Sequence, residues 1–425
     1  MVGWETKPLG ELCEFQRGLT YGKADEVETS SSVVLRANNV DLATHALDLT
    51  DLRFISDSVS VAATKKVRKG SLLICTASGS KSHLGKIAYV DDDYGYAFGG
   101  FMGQLTPAPV VDGRYLFRAL TSPAYKAFIA ALSDGININN LKFDDLRQFP
   151  VPVPNLDEQR RIVTILDEAF EGIATAKDNA EKNLQSAREL FVSHREALLS
   201  SADHGWSEAP LHDLCDIKHG YAFEGEFFAP AGDYVLLTPG NYFESGGYRD
   251  RGEKQKFFTG PIPSDYILAE NSLLVAMTEQ AAGLLGSPLL VPEPDRFLHN
   301  QRLGLVVGKP GAAWVNEFFF HVFNLTRVRA EIHASASGVK VRHTSPSKIG
   351  AVRVAFPATV ADQRKVASSL YELASECDQL GSIYARKLTA LDELKRSLLH
   401  QAFSGGLSPQ NDQPTKGRGL QMCTQ

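Results

Sequence analysis

The sequence predicts an α+β protein with an internal pseudo-two-fold repeat: two mixed α/β domains with many short strands, each followed by a long helix. Three observations predict this fold class. Similar blocks recur in the same order about 200 residues apart. Short apolar runs lie between turn residues. Two long segments carry apolar residues spaced alternately by three and four positions, which is the signal of a coiled coil.

The repeat consists of matching blocks. A tryptophan precedes a Pro-Leu-x-x-Leu-Cys block in each copy, at Trp4 and at Trp206. The later pairs of blocks are 70–74 with 271–275, 134–135 with 337–338, and the glutamines Gln159 and Gln363. Chance similarity does not keep several blocks in order, so we interpret the chain as two copies of one unit. The predicted limits are 1–154 and 204–357 for the globular domains, 155–203 and 358–403 for the helical regions, and 404–425 for a disordered tail.

The elements of the two copies run in parallel. In the first copy we predict strands at 32–36, 71–75 and 86–90 and a helix at 114–132. In the second copy we predict strands at 289–291 and 303–307 and a helix at 315–332.

Each long helix has a heptad-like seam. Its members are Val163, Leu166, Phe170, Ile173, Lys177, Ala180, Leu184, Ala187, Phe191, His194 and Leu198 in the first helix, and Val366, Leu370, Leu373, Cys377, Leu380, Tyr384, Lys387, Leu391, Leu394 and Leu398 in the second. The alternative is a pair of ordinary amphipathic helices on a globular core. Helix length and the absence of proline from 155 to 199 argue against that alternative.

Composition excludes several classes of protein. The chain has 425 residues, enough for two or three domains, and five cysteines without a CxxC pair, which fits a reducing cytoplasm. It has no signal-peptide core and no apolar run long enough to span a membrane. The net charge of −6 excludes a general basic coat but allows a local basic face.

Motifs for catalysis are missing from the sequence. There is no P-loop, HExxH, CxxC zinc pair, GxSxG or methyltransferase tetrapeptide. The acidic run 91–93 is better interpreted as a solvated turn than as a metal site. Phe98-Gly-Gly-Phe101 is too weak a signal for a cofactor loop.

The order of these features resembles the specificity subunit of type I restriction-modification enzymes. The resemblance rests on the Trp-x-x-x-Pro-Leu-x-x-Leu opening, the variable unit, the Pro-x-x-x-x-Gln-Arg helix start and the repetition of all three, and it extends to about residue 406. It implies two target-recognition domains, each reading one half of a split DNA site, and two helices that pair antiparallel as a spacer. The second helix start departs from the family pattern, because Val-Ala-Asp-Gln replaces Leu-x-Glu-Gln.

The same resemblance implies the partners and cofactors. We expect a non-catalytic subunit that binds double-stranded DNA with a bipartite target, two modification (methyltransferase) subunits and, in a full enzyme, two restriction (helicase-nuclease) subunits. S-adenosylmethionine, ATP and Mg are expected on those partners and not on this chain. Subunit docking is assigned to the helix starts, at Gln159, Arg160, Gln363 and Arg364. The alternatives are a coiled-coil scaffold without a DNA role and a methyltransferase with a fused recognition domain.

Candidate DNA contacts lie in polar or basic loops, where hydroxyl, amide and basic groups can reach phosphates and base edges. In the first copy they are Lys65, Lys66, Arg68, Lys69, Ser78, Ser80, Lys81 and His83. In the second copy they are Lys254, Lys256, Thr278, Glu279, Gln280, Lys340, Arg342 and His343. The alternative for any single residue is a solvated surface charge, and we expect the true contacts to lie within the set.

Overall fold

The computed structural model describes residues 4–80, 83–133, 140–200, 205–280 and 283–407. It divides into two compact units, one formed by residues 1–181 with 386–425 and the other by residues 182–385. Both divisions fall inside long helices, so each unit contains one globular domain and a part of each helix. The predicted domain limits stay a prediction. Most of the tail predicted to be disordered, residues 408–425, lies outside the described residues.

Among its described residues, the first unit begins with ten short strands and four short α-helices. The strands are β1 Glu5–Pro8, β2 Cys13–Arg17, β3 Glu26–Val27, β4 Ser32–Leu35, β5 Arg53–Ile55, β6 Leu72–Cys75, β7 Ile87–Tyr89, β8 Ala97–Phe98, β9 Met102–Pro107 and β10 Pro150–Val153. The helices are α1 Leu9–Leu12, α2 Gly113–Ala119, α3 Pro123–Ser133 and α4 Phe143–Leu146, and the long helix α5 Leu156–Ser200 follows.

The second unit repeats this composition. Its strands are β11 Ser207–Pro210, β12 Cys215–His219, β13 Phe228–Ala229, β14 Tyr234–Leu236, β15 Phe257–Phe258, β16 Leu273–Ala276, β17 Thr278–Glu279, β18 Pro288–Leu290, β19 Phe297–Leu298, β20 Leu303–Gly308, β21 Arg342–His343 and β22 Arg353–Phe356. Its helices are α6 Leu211–Leu214, α7 Asn316–Phe323, α8 Thr326–Ala334 and α9 Pro346–Gly350, and the second long helix is α10 Val360–Ser404. The predicted α+β class with many short strands is confirmed.

The two units share one strand topology. In the first, an antiparallel sheet has the order β2-β9-β6-β7, a second sheet has the order β3-β5-β4-β8, and β1 pairs with β10. In the second, the corresponding orders are β12-β20-β16-β18, β13-β15-β14-β19 and β11-β22. The last pair of strands in each four-stranded mixed sheet, β4-β8 or β14-β19, is parallel. Only the second unit, among the described residues, has a further pair, β17-β21.

The antiparallel sheets β2-β9-β6-β7 and β12-β20-β16-β18 are called the main sheets of the two units. The inner strand β6 or β16, here called the central strand, is covered on both faces. In β6, Leu72 and Ile74 enter the larger core, whereas Leu73 and Cys75 enter the smaller one. In β16, residues Leu273 and Val275 alternate in the same way with Leu274 and Ala276. A strand buried on both faces needs a continuous apolar run, which is why 72–75 and 273–276 are apolar throughout. This burial fixes the position of the loop that leaves each central strand.

The predicted short helices are each divided in two. The prediction of one helix at 114–132 is wrong, because α2 ends at Ala119 and α3 begins at Pro123. A proline has no N–H to donate to the preceding turn but fits the first turn of a new helix. The prediction at 315–332 is wrong in the same way, since Leu325 is extended, with φ −64° and ψ 136°, between α7 and α8.

Both long helices start at a side-chain cap. The Asn155 side chain accepts a hydrogen bond from the backbone N–H of Glu158 at 2.9 Å. At α10 the Thr359 hydroxyl accepts from the N–H of Asp362 at 3.1 Å and donates to the Asp362 carboxylate at 2.6 Å. Such caps satisfy backbone N–H groups that have no partner within the helix. Asp362, which replaces the Glu of the family pattern, therefore takes part in the cap at the start of α10.

Within each unit, the segments of α5 and α10 lie antiparallel. In the first unit, Lys177 Nζ lies 2.8 Å from Asp392 Oδ1, and Leu166 shares a core with Leu399. In the second unit, Leu199 shares a core with Leu370. Residues nearer the start of one helix thus pack against residues nearer the end of the other.

The faces that pack differ partly from the predicted seams. Arg195, not His194, is buried in α5, and Leu380 and Leu394 of α10 are 41% and 46% exposed. Lys395 approaches α5 instead, with Nζ 5.1 Å from the centre of the Phe170 ring. The reason is that a straight helix of 3.6 residues per turn drifts away from a strict seven-residue repeat.

Candidate nucleic-acid interface

One end of the main sheet in the first unit gathers three chain segments. These segments, 17–20, 76–80 and 99–101, are called the first edge. Thr76 N donates to the carbonyl of Phe101 at 2.9 Å, and Leu19 N donates to the carbonyl of Phe98 at 2.7 Å. The antiparallel register places Arg17, Gly103 and Ile74 side by side, so the three segments leave the sheet at the same end.

The second unit builds the corresponding end from 219–222, 277–280 and 300–302, which are called the second edge. Met277 N donates to the carbonyl of Arg302 at 3.0 Å, and Tyr221 N donates to the carbonyl of His299 at 2.9 Å. The pair β17-β21 adds the segment 342–343 beside 278–279. The two units therefore present edges of equivalent backbone construction.

The predicted basic run 65–69 is divided between the two ends of the sheet. Lys65 Nζ donates to the carbonyl of Arg17 at 2.8 Å, so this ammonium lies at the first edge. Lys69 precedes the other end of β6, where its Nζ lies 3.7 Å from Asp92 Oδ1. Lys66 and Arg68 are exposed. Of this run, only Lys65 is brought to the first edge by a direct contact.

The polar loop after β6 belongs to the first edge. Ser78 is half-buried, and its hydroxyl accepts from the backbone N–H of Ser80 at 3.2 Å. His83 is half-buried, and its backbone N–H donates to the carbonyl of Ser80. Lys81 lies outside the described residues.

The candidates of the second unit fall into two groups. Thr278, Gln280 and His343 lie at the second edge, and the Thr278 hydroxyl is 3.4 Å from His343 Nδ1. Lys254 and Lys256 are exposed next to β15 in the other sheet, and Lys256 Nζ lies 5.4 Å from the centre of the Phe228 ring. Lys340 is exposed between α8 and β21.

Glu279 differs from the expectation that it accepts a hydrogen bond from cytosine. Its side chain is 1% exposed, and its Oε2 accepts from the backbone N–H groups of Gly283, Leu284 and Leu285 at 3.0, 2.9 and 3.1 Å. Its Oε1 lies 3.7 Å from the guanidinium of Arg342. A carboxylate held by three N–H groups and a cation organises its own loop, and this burial argues against a direct base contact.

The glutamines assigned to subunit docking are also buried. Gln159 is 0% exposed; its Oε1 accepts from Asp112 N at 2.8 Å, and its Nε2 donates to the carbonyls of Pro154 and Val110 at 2.8 and 3.2 Å. Gln363 is 0% exposed and donates to the carbonyls of Ala313 and Pro357. Both side chains tie a helix start to the domain before it, so neither is accessible to a partner. The assignment remains for Arg160 and Arg364, which are exposed.

Arg364 borders a cleft of about 1050 Å³ in the second unit. The cleft is lined by α5, α7, α10 and the turn 245–247. His321 lies in its wall, where burial and the nearby Arg195 lower the pKa of the imidazole to about 4. The neutral ring has an Nδ1 without a hydrogen-bond partner among the described residues.

The turns 99–101 and 300–302 were not among the predicted contacts. The Phe-Gly-Gly-Phe signal was visible in the sequence, but nothing in it showed that Phe101 is 73% exposed beside the polar loop. Among the described residues, no cluster of three His, Cys, Asp or Glu side chains is placed to hold a metal ion. In the same part of the chain no helix is long and apolar enough to cross a membrane.

Comparisons with known proteins agree with this architecture. A family model described as type I restriction modification DNA specificity domain matches residues 1–184. The chain is 30% identical over 437 aligned positions to the type I restriction enzyme StySPI specificity subunit of Salmonella potsdam, covering 96% of this chain and 90% of that subunit. It is 28% identical to the EcoKI specificity subunit of Escherichia coli strain K12 over 206 positions, or 48% of this chain and 43% of that subunit.

Solved structures show the same fold. A chain from work on complex assembly and conformational transition of the type I R-M system has a TM-score of 0.74 at 15% identity, covering 95% of this chain and 98% of that chain. The HsdS subunit from Thermoanaerobacter tengcongensis has a TM-score of 0.64 at 16% identity, covering 96% and 98%. The 30% identity to the StySPI subunit extends over nearly the full length of both chains, and the fold is duplicated as described above. The chain therefore belongs to the specificity subunits of type I restriction-modification enzymes, and its function is DNA recognition.

Proposed function

We propose that each globular domain reads one half of a bipartite DNA target, through the first edge and the second edge. The observation that carries this proposal is the construction of one polar edge twice, from equivalent strands, with different side chains on each. The two edges have the same backbone arrangement but different side chains. This difference suits two half-sites of different base sequence. Lys65, Ser78 and Ser80 at the first edge and Gln280 and His343 at the second offer donors and acceptors for phosphates and bases.

We further propose that α5 and α10 form an antiparallel spacer that sets the gap between half-sites. The antiparallel contacts within each unit and the side-chain caps at both helix starts support this role. A seam of about 35 residues spans roughly 50 Å at 1.5 Å per residue. This is about one and a half turns of B-DNA. A flexible linker would not impose such a distance.

The chain itself is proposed to be non-catalytic and to work in a complex. Its partners would be two modification subunits and, in a restriction complex, two restriction subunits, which would bring S-adenosylmethionine, ATP and Mg. Arg160 and Arg364 would be the docking residues, and their exposure at the two helix starts supports this proposal.

The test is an exchange of the first domain. Residues 1–150 are replaced by the first domain of another family member, and the hybrid is expressed with its modification subunits. The main core of the first unit is built from residues within 4–170 and 398–407, and not from the second globular domain, so one half-site should change and the other should stay. The measurement is long-read mapping of methylated sites in cellular DNA. A change in both half-sites would contradict separate readers.

A further inference from the structure

The turn 99–101 holds a large aromatic side chain outside every core. Phe101 is 73% exposed and makes no contact with another aromatic ring among the described residues. Single exposed apolar residues are common and need no explanation by themselves. Phe101 differs from them because it stands at the tip of the first edge, next to the polar loop 76–80.

The backbone of this turn is fixed. The Phe101 carbonyl accepts from Thr76 N at 2.9 Å, from Ala77 N at 3.2 Å and from the Thr76 hydroxyl at 2.9 Å. Behind the turn, a Cβ on Gly18 would lie 1.9 Å from the carbonyl oxygen of Gly99, so the two segments pack backbone to backbone. An exposed ring on such a support loses little freedom when it binds a ligand.

The second unit has the same support with another side chain. Met277 N donates to the carbonyl of Arg302 at 3.0 Å, and a Cβ on Gly220 would lie 2.3 Å from the carbonyl oxygen of Asn300. In register, Met102 pairs with Cys75 as Leu303 pairs with Ala276, so Arg302 is the equivalent of Phe101. Arg302 is exposed, and no described residue forms an ion pair or side-chain hydrogen bond with its guanidinium.

The chemistry of the two side chains indicates what each would bind. An arginine on a rigid support pairs with O6 and N7 of guanine in the major groove, the commonest specific contact between protein and DNA. An equivalent turn should enter the same groove, where the thymine methyl group is the apolar group that a phenylalanine can recognise on a base edge. We propose that Phe101 and Arg302 are specificity-determining residues, Phe101 for a thymine in one half-site and Arg302 for a guanine in the other. This inference rests on the proposed reading of DNA through the two edges.

The test uses the chain in complex with its modification subunits. The wild-type target is first mapped by long-read sequencing, and methylation rates are then measured on duplexes with one base pair changed at a time. Arg302→Ala should lose about 5- to 150-fold of discrimination at one G·C pair of one half-site, corresponding to a bidentate contact. Phe101→Ala should lose roughly three- to fivefold at one A·T pair of the other half-site, about the value of one methyl group. Deoxyuridine at that thymine and 7-deazaguanine at that guanine should reproduce the two losses with the wild-type chain.

Arg302→Lys separates charge from geometry. It should lose most of the guanine discrimination, because an ammonium cannot bind both acceptors as a planar guanidinium does. Arg296→Ala and Leu42→Ala are matched controls: both side chains are exposed in the respective units, outside the edges, and neither change should alter the profile.

Three outcomes would overturn the inference. One is that Arg302→Ala weakens all duplexes equally with a smaller salt dependence, which would mean a phosphate contact. Another is that deoxyuridine has no effect while Phe101→Ala does, which would mean insertion between base pairs. The last is that both variants discriminate as the wild type does. If the wild-type complex methylates no bipartite site at all, it is the proposed function that fails.

Discussion

At the scale of single residues, the buried glutamines show why a repeated motif is not always a docking motif. Gln159 is hydrogen-bonded at both ends of its amide, whereas the Oε1 of Gln363 has no hydrogen-bond partner among the described residues. The glutamine at this position therefore has partners for both ends of its amide in the first copy, but only for the Nε2 end in the second copy. Removing a partner from buried polar groups costs about 1–3 kcal/mol for each group left unpaired.

We predict that Gln159→Ala destabilises the protein by about 3 kcal/mol or more, because three groups, Asp112 N and the carbonyls of Pro154 and Val110, lose their partner. Chemical denaturation of the full chain measures the change. Arg160→Ala is the matched control on the neighbouring exposed position and should stay within about 0.5 kcal/mol. A Gln159→Ala protein of normal stability that no longer binds the modification subunit would show that this glutamine reaches a partner after all.

His321 should make the second unit sensitive to acid. Its pKa is lowered by burial to about 4, below the 6.5 of a free imidazole, so the folded state favours the neutral ring. The stabilisation is complete above pH 6.5 and is lost as the pH falls toward 4. Between pH 7.5 and pH 5 we expect a loss of about 2 kcal/mol that His321→Phe, packed beside Phe191 and Phe320, should largely remove. Equal acid sensitivity of the two proteins in denaturation curves would refute the assignment.

At the scale of elements, the helices combine a fixed direction with a seam that is partly polar. Lys177 pairs with Asp392 where a strict seam would have apolar residues, and the carboxyl pKa of Asp392 is lowered mainly by that hydrogen bond. A half-exposed ion pair of this kind adds little stability. A charged position in a seam can instead fix which residues face each other. The helices are thus suited to hold one register.

Adding one heptad to each helix should lengthen the gap between half-sites. The insertions belong after 181 in α5 and before 386 in α10, where the two units meet in the chain. Seven residues add about 10 Å, or roughly three base pairs. They also turn the second half-site by close to 100° around the DNA, so affinity should fall. Mapping of methylated sites should show unchanged half-sites with a gap longer by about two to three base pairs.

The control is a heptad in one helix alone. It shifts one helix by about two turns against the other on one side of the insertion, so the α5–α10 contacts on the two sides cannot both be kept, and the complex should lose activity. An unchanged gap with full activity in the double insertion would mean that the helices do not set the spacing.

At the scale of the whole molecule, the net charge and the duplication both affect how the chain can bind DNA. A chain with a net charge of −6 cannot rely on general attraction to DNA, so its positive groups must be concentrated or supplied by partners. Two units with separate cores allow one edge to change without disturbing the other. This organisation supports the proposal that each domain reads its own half-site.

The sequence by itself determined the α+β class, the in-order repeat and the two long helices, because these depend on local periodicity and on the order of blocks. It did not determine the burial of Gln159 or Glu279, since their partners are residues such as Val110 and Arg342, about 50 or more positions away. Nor did it decide which helix faces meet, because drift from the heptad accumulates along a straight helix. The tertiary structure alone brought Phe101 beside Thr76 and Arg302 beside Met277, since β9 and β20 return to the ends of β6 and β16 only in the folded sheet.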